Sequence, residues 1–237
     1  MIRAVLLDLD DTLLGNETDP FVKHYFALLS QFAEPKMPSD QFVATLLRAS
    51  REMIYNDDLS LSNYDVFWQT FAEYSGVDVQ DMEDFIVGFY ENVFPKLQHL
   101  TERRAVALPL IEYCFAQNWK VVVATNPMFP QMAIEERLRW AGVPVSEHDY
   151  ALVTTLENMH STKPNVSYYE EILHRLEIEP ETAVMVGDDW KNDIEPASQL
   201  GIRTYWVRKN AEAPLDASLI EGSGTLDDFY TWIQQLK

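Results

Sequence analysis

Two aspartates spaced two apart, Asp8 and Asp10, with Asp11 and Thr12 directly behind, end the first apolar run of the chain. A carboxylate can attack an electrophile, pass a proton or hold a hard cation, and a pair can divide such tasks. Residues i and i+2 leave a strand on the same side, and at ~4 Å with an effective dielectric near 20 their charges repel by roughly 4 kcal/mol. Such a cluster calls for a cation. An Asp-x-Asp-x-Thr/Ser pattern arises by composition in about one chain of this size in ten. The motif therefore needs partners elsewhere in the sequence.

Three further polar groups supply them. Thr125 and Asn126 follow the β-branched run Val121 to Val123, and Lys163 with Pro164 precedes a helical segment from Val166 to Leu176. Gly187, Asp188, Asp189, Trp190, Lys191, Asn192 and Asp193 follow the apolar run Ala183 to Val186. Singly these are ordinary: a turn, a solvated lysine, helix-capping acids. In a parallel sheet, however, all such strand ends lie along one edge, where ligands bind at the point of strand-order reversal.

The elements needed to arrange them can be read from periodicity. Val5, Leu6 and Leu7 have the continuous apolar character of a strand buried on both faces. Leu13 to Asn16 reads as a flexible exit. The stretches Asp19 to Phe32, Ser39 to Tyr55, Ser62 to Tyr74 and Gln80 to Phe94 carry apolar residues at helical spacing and predict a four-helix bundle. From Thr101 helix and strand alternate. A helix starting near Pro109 runs to Gln117, since proline suits a first turn and costs ~3 kcal/mol in a helix interior. Then come a strand Lys120 to Ala124, a helix Gln131 to Trp140, a weaker strand Tyr150 to Val153, the helix Val166 to Leu176 and a strand Ala183 to Val186. A helix Ile194 to Leu200, a last strand Ile202 to Val207, a polar stretch from about Asn210 to Gly224 and a helix Leu226 to Leu236 complete the chain. The expected fold class is α/β, a doubly wound parallel sheet, with residues 1–15 and 101–237 as its core. Residues 16–100 form an inserted α-helical bundle, placed to close over the acidic turn as a lid.

Composition narrows the possible activities. The formal charge of -20 over 237 residues argues against nucleic acid or an anionic membrane as partner, because both demand a basic face. No signal-peptide pattern opens the chain and no apolar run has bilayer-spanning length, so a cytoplasmic location is the expectation. The single Cys114 lies in the apolar stretch Ile111 to Ala116 and reads as a small buried hydrophobe. His24, His99, His148, His160 and His174 lack metal-ligand spacing. Arg48, Arg51 and Tyr55 share a helical face that reads as solvated, and the insert's tryptophans and phenylalanines read as its core.

The four polar groups together resemble the motifs of the haloacid dehalogenase-like hydrolase superfamily: Asp8-Leu9-Asp10-Asp11-Thr12, Thr125 after a strand, Lys163 before a helix, and Gly187 to Asp193. The likeness spans nearly the whole chain. It implies a Rossmann-like core and a helical cap of the kind common among that superfamily's small-molecule phosphatases. By this resemblance Asp8 is the nucleophile, forming an aspartyl phosphate, and Asp10 protonates the leaving alkoxide and later deprotonates water. Mg²⁺ is the expected cofactor, held by the carboxylates of Asp8 and Asp188 and the main-chain carbonyl of Asp10. Thr125, Asn126 and Lys163 would hold the phosphoryl oxygens, with Asp189 and Asp193 in support. A 2-haloacid dehalogenase shares the nucleophile, but the resemblance implies that it lacks the second aspartate, present here as Asp10. A phosphomutase uses the same carboxylates. A signalling receiver would show a lone phosphoacceptor aspartate and no large insert, and a non-catalytic binding protein would not need every motif intact. The expected activity is Mg²⁺-dependent hydrolysis of a small phosphorylated metabolite.

Overall fold

Ala4–Leu7 carries no polar side chain, and as strand β1 each of its residues is fully buried. The computed structural model describes residues 1–16, 18–208 and 213–236. β1 runs parallel between β4 (Lys120–Val123) and β6 (Ala183–Gly187), flanked by β5 (Leu152–Val153) on one side and by β7 (Arg203–Val207) and β8 (Gly222–Gly224) on the other. The chain leaves β1 toward β4 on one side and later fills β6 on the other, so strand order reverses beside β1. Alternation sorts its side chains between two layers. Val5 and Leu7 join the apolar cluster containing α5 (Ala107–Ala116), α6 (Gln131–Ala141) and α9 (Leu226–Ile233), while Ala4 and Leu6 pack with α7 (Val166–Leu176) and α8 (Glu195–Gln199). Cys114 is fully buried in the first layer, and burial pushes its thiol up to about 12.

Three sequence expectations need correction. The exit Leu13 to Asn16 is not flexible: Leu14–Asn16 forms β2, paired antiparallel with β3 (Thr101–Arg103). Val207 does not end the last strand of the sheet, since β8 pairs parallel with β7. A Gly-Ser-Gly strand carries no apolar alternation to read. Its glycines are required by contact, because a Cβ on Gly222 would lie 2.7 Å from the Tyr205 ring. Part of the polar stretch expected from about Asn210 lies outside the described residues. Finally, α5 begins at Ala107, leaving Pro109 inside its first turn, where no intrahelical bond needs its missing N–H.

Between β2 and β3 stand α1 (Thr18–Ala33), α2 (Ser39–Ile54), α3 (Asn63–Ser75) and α4 (Val79–Asn92). The starts of α3 and α4 are fixed by side chains. Ser62 and Asp65 form a reciprocal capping box at α3, and Asp78 accepts from the Asp81 amide at α4, contacts typically worth about 1 kcal/mol each. The start of α3 also grips the sheet-bearing part of the chain: the Asn63 and Tyr64 amides donate to the carbonyls of Met159 (2.8 Å) and Leu156 (3.0 Å). No helix among the described residues is long and apolar enough to cross a membrane.

Candidate active site

Parallel register sets the site. Leu7 stands level with Val123 on one side and Val186 on the other, so Asp8, Thr125 and Asp188 all emerge just beyond the same edge. Asp8 leaves the strand with its amide on the Val186 carbonyl at 2.9 Å. The turn then folds back, held by Asn16, whose Oδ1 accepts from the Asp11 amide at 2.9 Å and whose Nδ2 donates to Asp10 Oδ1 at 3.2 Å. Asp11 adopts a positive φ of 57° to make this turn.

Lys163 comes from the loop ahead of α7. Its Nζ donates to Asp8 Oδ1 at 2.8 Å and to Asp193 Oδ1 at 2.5 Å, with all three side chains almost wholly buried. Asp193 Oδ2 in turn accepts from the Asp189 amide at 3.0 Å. This packing demands glycine at position 187, since a Cβ there would fall 2.1 Å from Asp193 Oδ2. One carboxylate oxygen from each of Asp8, Asp188 and Asp193 lies within 4.8 Å of the others. Asp189 is occupied otherwise: its Oδ1 accepts from the Lys191 and Asn192 amides, capping the helical turn Trp190–Ile194. Trp206 supports this loop by donating from Nε1 to the Asp188 carbonyl.

The electrostatics follow from that crowding. Burial, opposed by Lys163 and reinforced by Asp193 and Asp188, holds the Asp8 carboxyl well above its usual range. Burial together with Asp193 and Asp11 raises Asp188 to about 7. Burial alone would lower Lys163, but the Asp193 and Asp8 carboxylates outweigh it and keep the ammonium charged.

Thr125, 2 % exposed, offers its carbonyl to the Tyr168 hydroxyl at 2.9 Å and to Thr154 Oγ1 at 2.7 Å, which pins the strand end. Asn126 forms the following turn, its carbonyl accepting from the Met128 amide. Sequence reasoning missed Arg137 and Asn16. Arg137, 1 % exposed on α6, donates from Nη1 to Asp10 Oδ2 at 2.5 Å, its guanidinium 4.4 Å from the Phe129 ring centre. A charged residue among Ala133, Ile134, Leu138 and Ala141 on the buried face of a helix is a signal the sequence did contain. Asn16 carried none. Arg48 lies against the exposed Tyr74 ring and Arg51 near Tyr55.

Residues 2–201 match the haloacid dehalogenase-like hydrolase family. The chain belongs to this family. Among relatives of the hydrolase, a protein of Methanothermobacter thermautotrophicus named glyceraldehyde 3-phosphate phosphatase is 27% identical over 210 residues, covering 87% of this chain and 86% of its own. A 2-haloacid dehalogenase from Pseudomonas syringae superposes with a TM-score of 0.65 at 21% identity over the full length of both chains. A phosphatase from Thermococcus onnurineus gives 0.59 at 18% identity, covering 98% of each. These two share the fold.

The family implies a divalent cation, and the donors fit one: clustered carboxylate oxygens, with Lys163 the cation bound between Asp8 and Asp193. This has a measurable consequence in the metal-free hydrolase. Folded Asp188 keeps its proton up to about pH 7, whereas the unfolded chain releases it near pH ~4. The folded state then binds more protons across that window, so stability falls as pH rises through it, by at most ~4 kcal/mol. Melting in chelator is expected at a higher temperature at about pH 5.5 than at about pH 7.5, with added Mg²⁺ stabilising more at the higher value. A metal-free melting point that climbs with pH over this range contradicts the account.

Proposed function

We propose that this hydrolase is a Mg²⁺-dependent phosphatase acting on a small phosphorylated compound through an aspartyl-phosphate intermediate on Asp8. The observation that carries the reading is Lys163 bridging Asp8 and Asp193 beside the Asp188 carboxylate. The phosphatases named among the relatives support it. With Lys163 on Oδ1, the second oxygen of Asp8 attacks phosphorus as the bond to the leaving oxygen breaks. Asp10 gives that oxygen a proton and then takes one from the water that opens the acyl phosphate, releasing inorganic phosphate and restoring Asp8. Lys163, Thr125 and the Asn126 amide hold the phosphoryl oxygens as charge develops on them. Asp8, Asp188 and the Asp10 carbonyl would hold the ion, which would supply charge neutralisation at the phosphoryl group. Asp193 orients Lys163, and Asp189 holds the loop.

Rapid-quench turnover of an aryl phosphate with Mg²⁺ tests this. Asp10→Asn should accumulate phosphoenzyme that the parent does not, and chelator should abolish formation. Finding no excess phosphoenzyme in the variant overturns the two-step scheme.

Arg137 adds a positioning role, since it fixes the Asp10 carboxyl from behind. Arg137→Ala is expected to lower kcat by ~10²-fold and Arg137→Lys by ~10-fold, because an ammonium keeps the charge but loses the planar packing on the Phe129 ring. KM should change far less. A kcat unchanged in both variants removes the role.

A further inference from the structure

The helical insert and the segment after Asn126 line a partly open pocket of about 620 Å³. Ligand sites run from ~300 to ~1,000 Å³. Its walls are largely apolar and rich in rings: Phe42 on α2, Phe67, Trp68 and Phe71 on α3, with Tyr25 on α1 and Phe129 from the sheet side. Sequence periodicity assigns the insert's phenylalanines and tryptophans to its core. Phe42 and Phe71 are indeed buried, but Phe67 and Trp68 keep partly exposed faces.

Charge and position decide the occupant. Glu83, Glu135 and Glu157 border the cavity, and among the described residues no Lys, Arg or His does. It therefore repels a phosphoryl group, whose complement is the Lys163 end of the site. Yet it lies near that site, although none of the residues assigned to the phosphoryl group lines it among those described. Met128 and Phe129 follow Thr125 and Asn126 in the chain, and the Phe129 ring that walls the cavity lies on Arg137, which holds Asp10. One guanidinium separates the cavity wall from the carboxyl assigned to the leaving oxygen.

From this juxtaposition, and resting on the phosphatase reading above, we propose that the cavity receives the alcohol portion of the substrate. The substrate is a phosphate monoester of a large, predominantly apolar or aromatic alcohol without negative charge. A three-carbon polyol phosphate would occupy little of this space and leave its hydroxyls against rings.

Steady-state hydrolysis of n-alkyl monophosphates from ethyl to hexyl, with benzyl phosphate and glyceraldehyde 3-phosphate alongside, tests the assignment in the metal-loaded enzyme. Asp8→Asn serves as the control in every assay. Burial of methylenes should raise kcat/KM about fourfold per carbon, with benzyl phosphate exceeding glyceraldehyde 3-phosphate. Ser50→Trp, which fills the cavity from α2, should reduce the hexyl-to-ethyl ratio at least ~10-fold. Leu46→Phe repeats this with a smaller change if the first variant melts early. A flat or falling series that still depends on Asp8 overturns the cavity assignment and leaves the phosphatase reading standing. So does a ratio untouched by both variants. Absence of Asp8-dependent turnover on every ester overturns the reading beneath it.

Discussion

Asp8→Asn is expected to lower turnover by ~10⁴-fold or more while leaving the metal-free protein at least as stable as its parent. The amide matches the carboxylate in shape but cannot attack phosphorus, so chemistry is lost without repacking. Stability moves the other way because burial, partly offset by Lys163, and the neighbouring Asp193, Asp188 and Asp10 charges hold Asp8 above the carboxylate range. A folded-state value raised in this way means that the ionised group costs stability at neutral pH, and the neutral amide removes that cost. Lys163 retains Asp193 as a partner. Turnover of an aryl phosphate with Mg²⁺, paired with melting in chelator, measures both effects. Parental turnover removes the nucleophile, and a large fall in melting temperature makes Asp8 a structural group.

Lys163→Met should fail in both respects. Its ammonium is the charge set between Asp8 and Asp193, and its side chain is 1 % exposed. Removing one partner of a buried ion pair leaves the other uncompensated, at a typical cost of about 3–5 kcal/mol. For a chain of this size each kcal/mol lowers the melting temperature by roughly 2–4 °C. The deficit should shrink as pH falls, because protonated carboxyls need no cation, and the variant should bind no phosphoryl group at any pH. A melting temperature within about 2 °C of the parent at neutral pH contradicts this. The two variants thus separate chemistry from support within one hydrogen-bonded unit.

What the sequence revealed depended on whether side chains carry the pattern. Val121 to Val123 could be read as a buried strand because β-branched residues advertise one, and the helix Val166–Leu176 was expected with the bounds observed. β8 and β2 were invisible, since Gly222, Gly224 and Gly15 make their pairings through backbone and close approach. Asp8, Lys163 and Asp188 could be gathered in advance because parallel register brings strand ends to one edge. Arg137 could not be matched to Asp10, 127 positions away, as periodicity says which face a residue occupies and nothing of which partner meets it there. The same limit applies to Phe67 and Trp68: spacing shows that a helix has an apolar face, and only packing shows whether that face is filled.

The antiparallel pairing of β2 with β3 bears on how such a chain assembles. Asn16 and Thr101 are ladder neighbours, so everything between them departs from and returns to one spot. For the strands that must meet, Leu7 and Val123, closing that ladder shortens the effective tether to residues 8–15 and 102–122, at little extra entropic cost for the length of the excursion. Helices could be gained, lost or exchanged within that excursion during descent without disturbing strand order, which makes recognition of new compounds separable from preservation of the reaction centre.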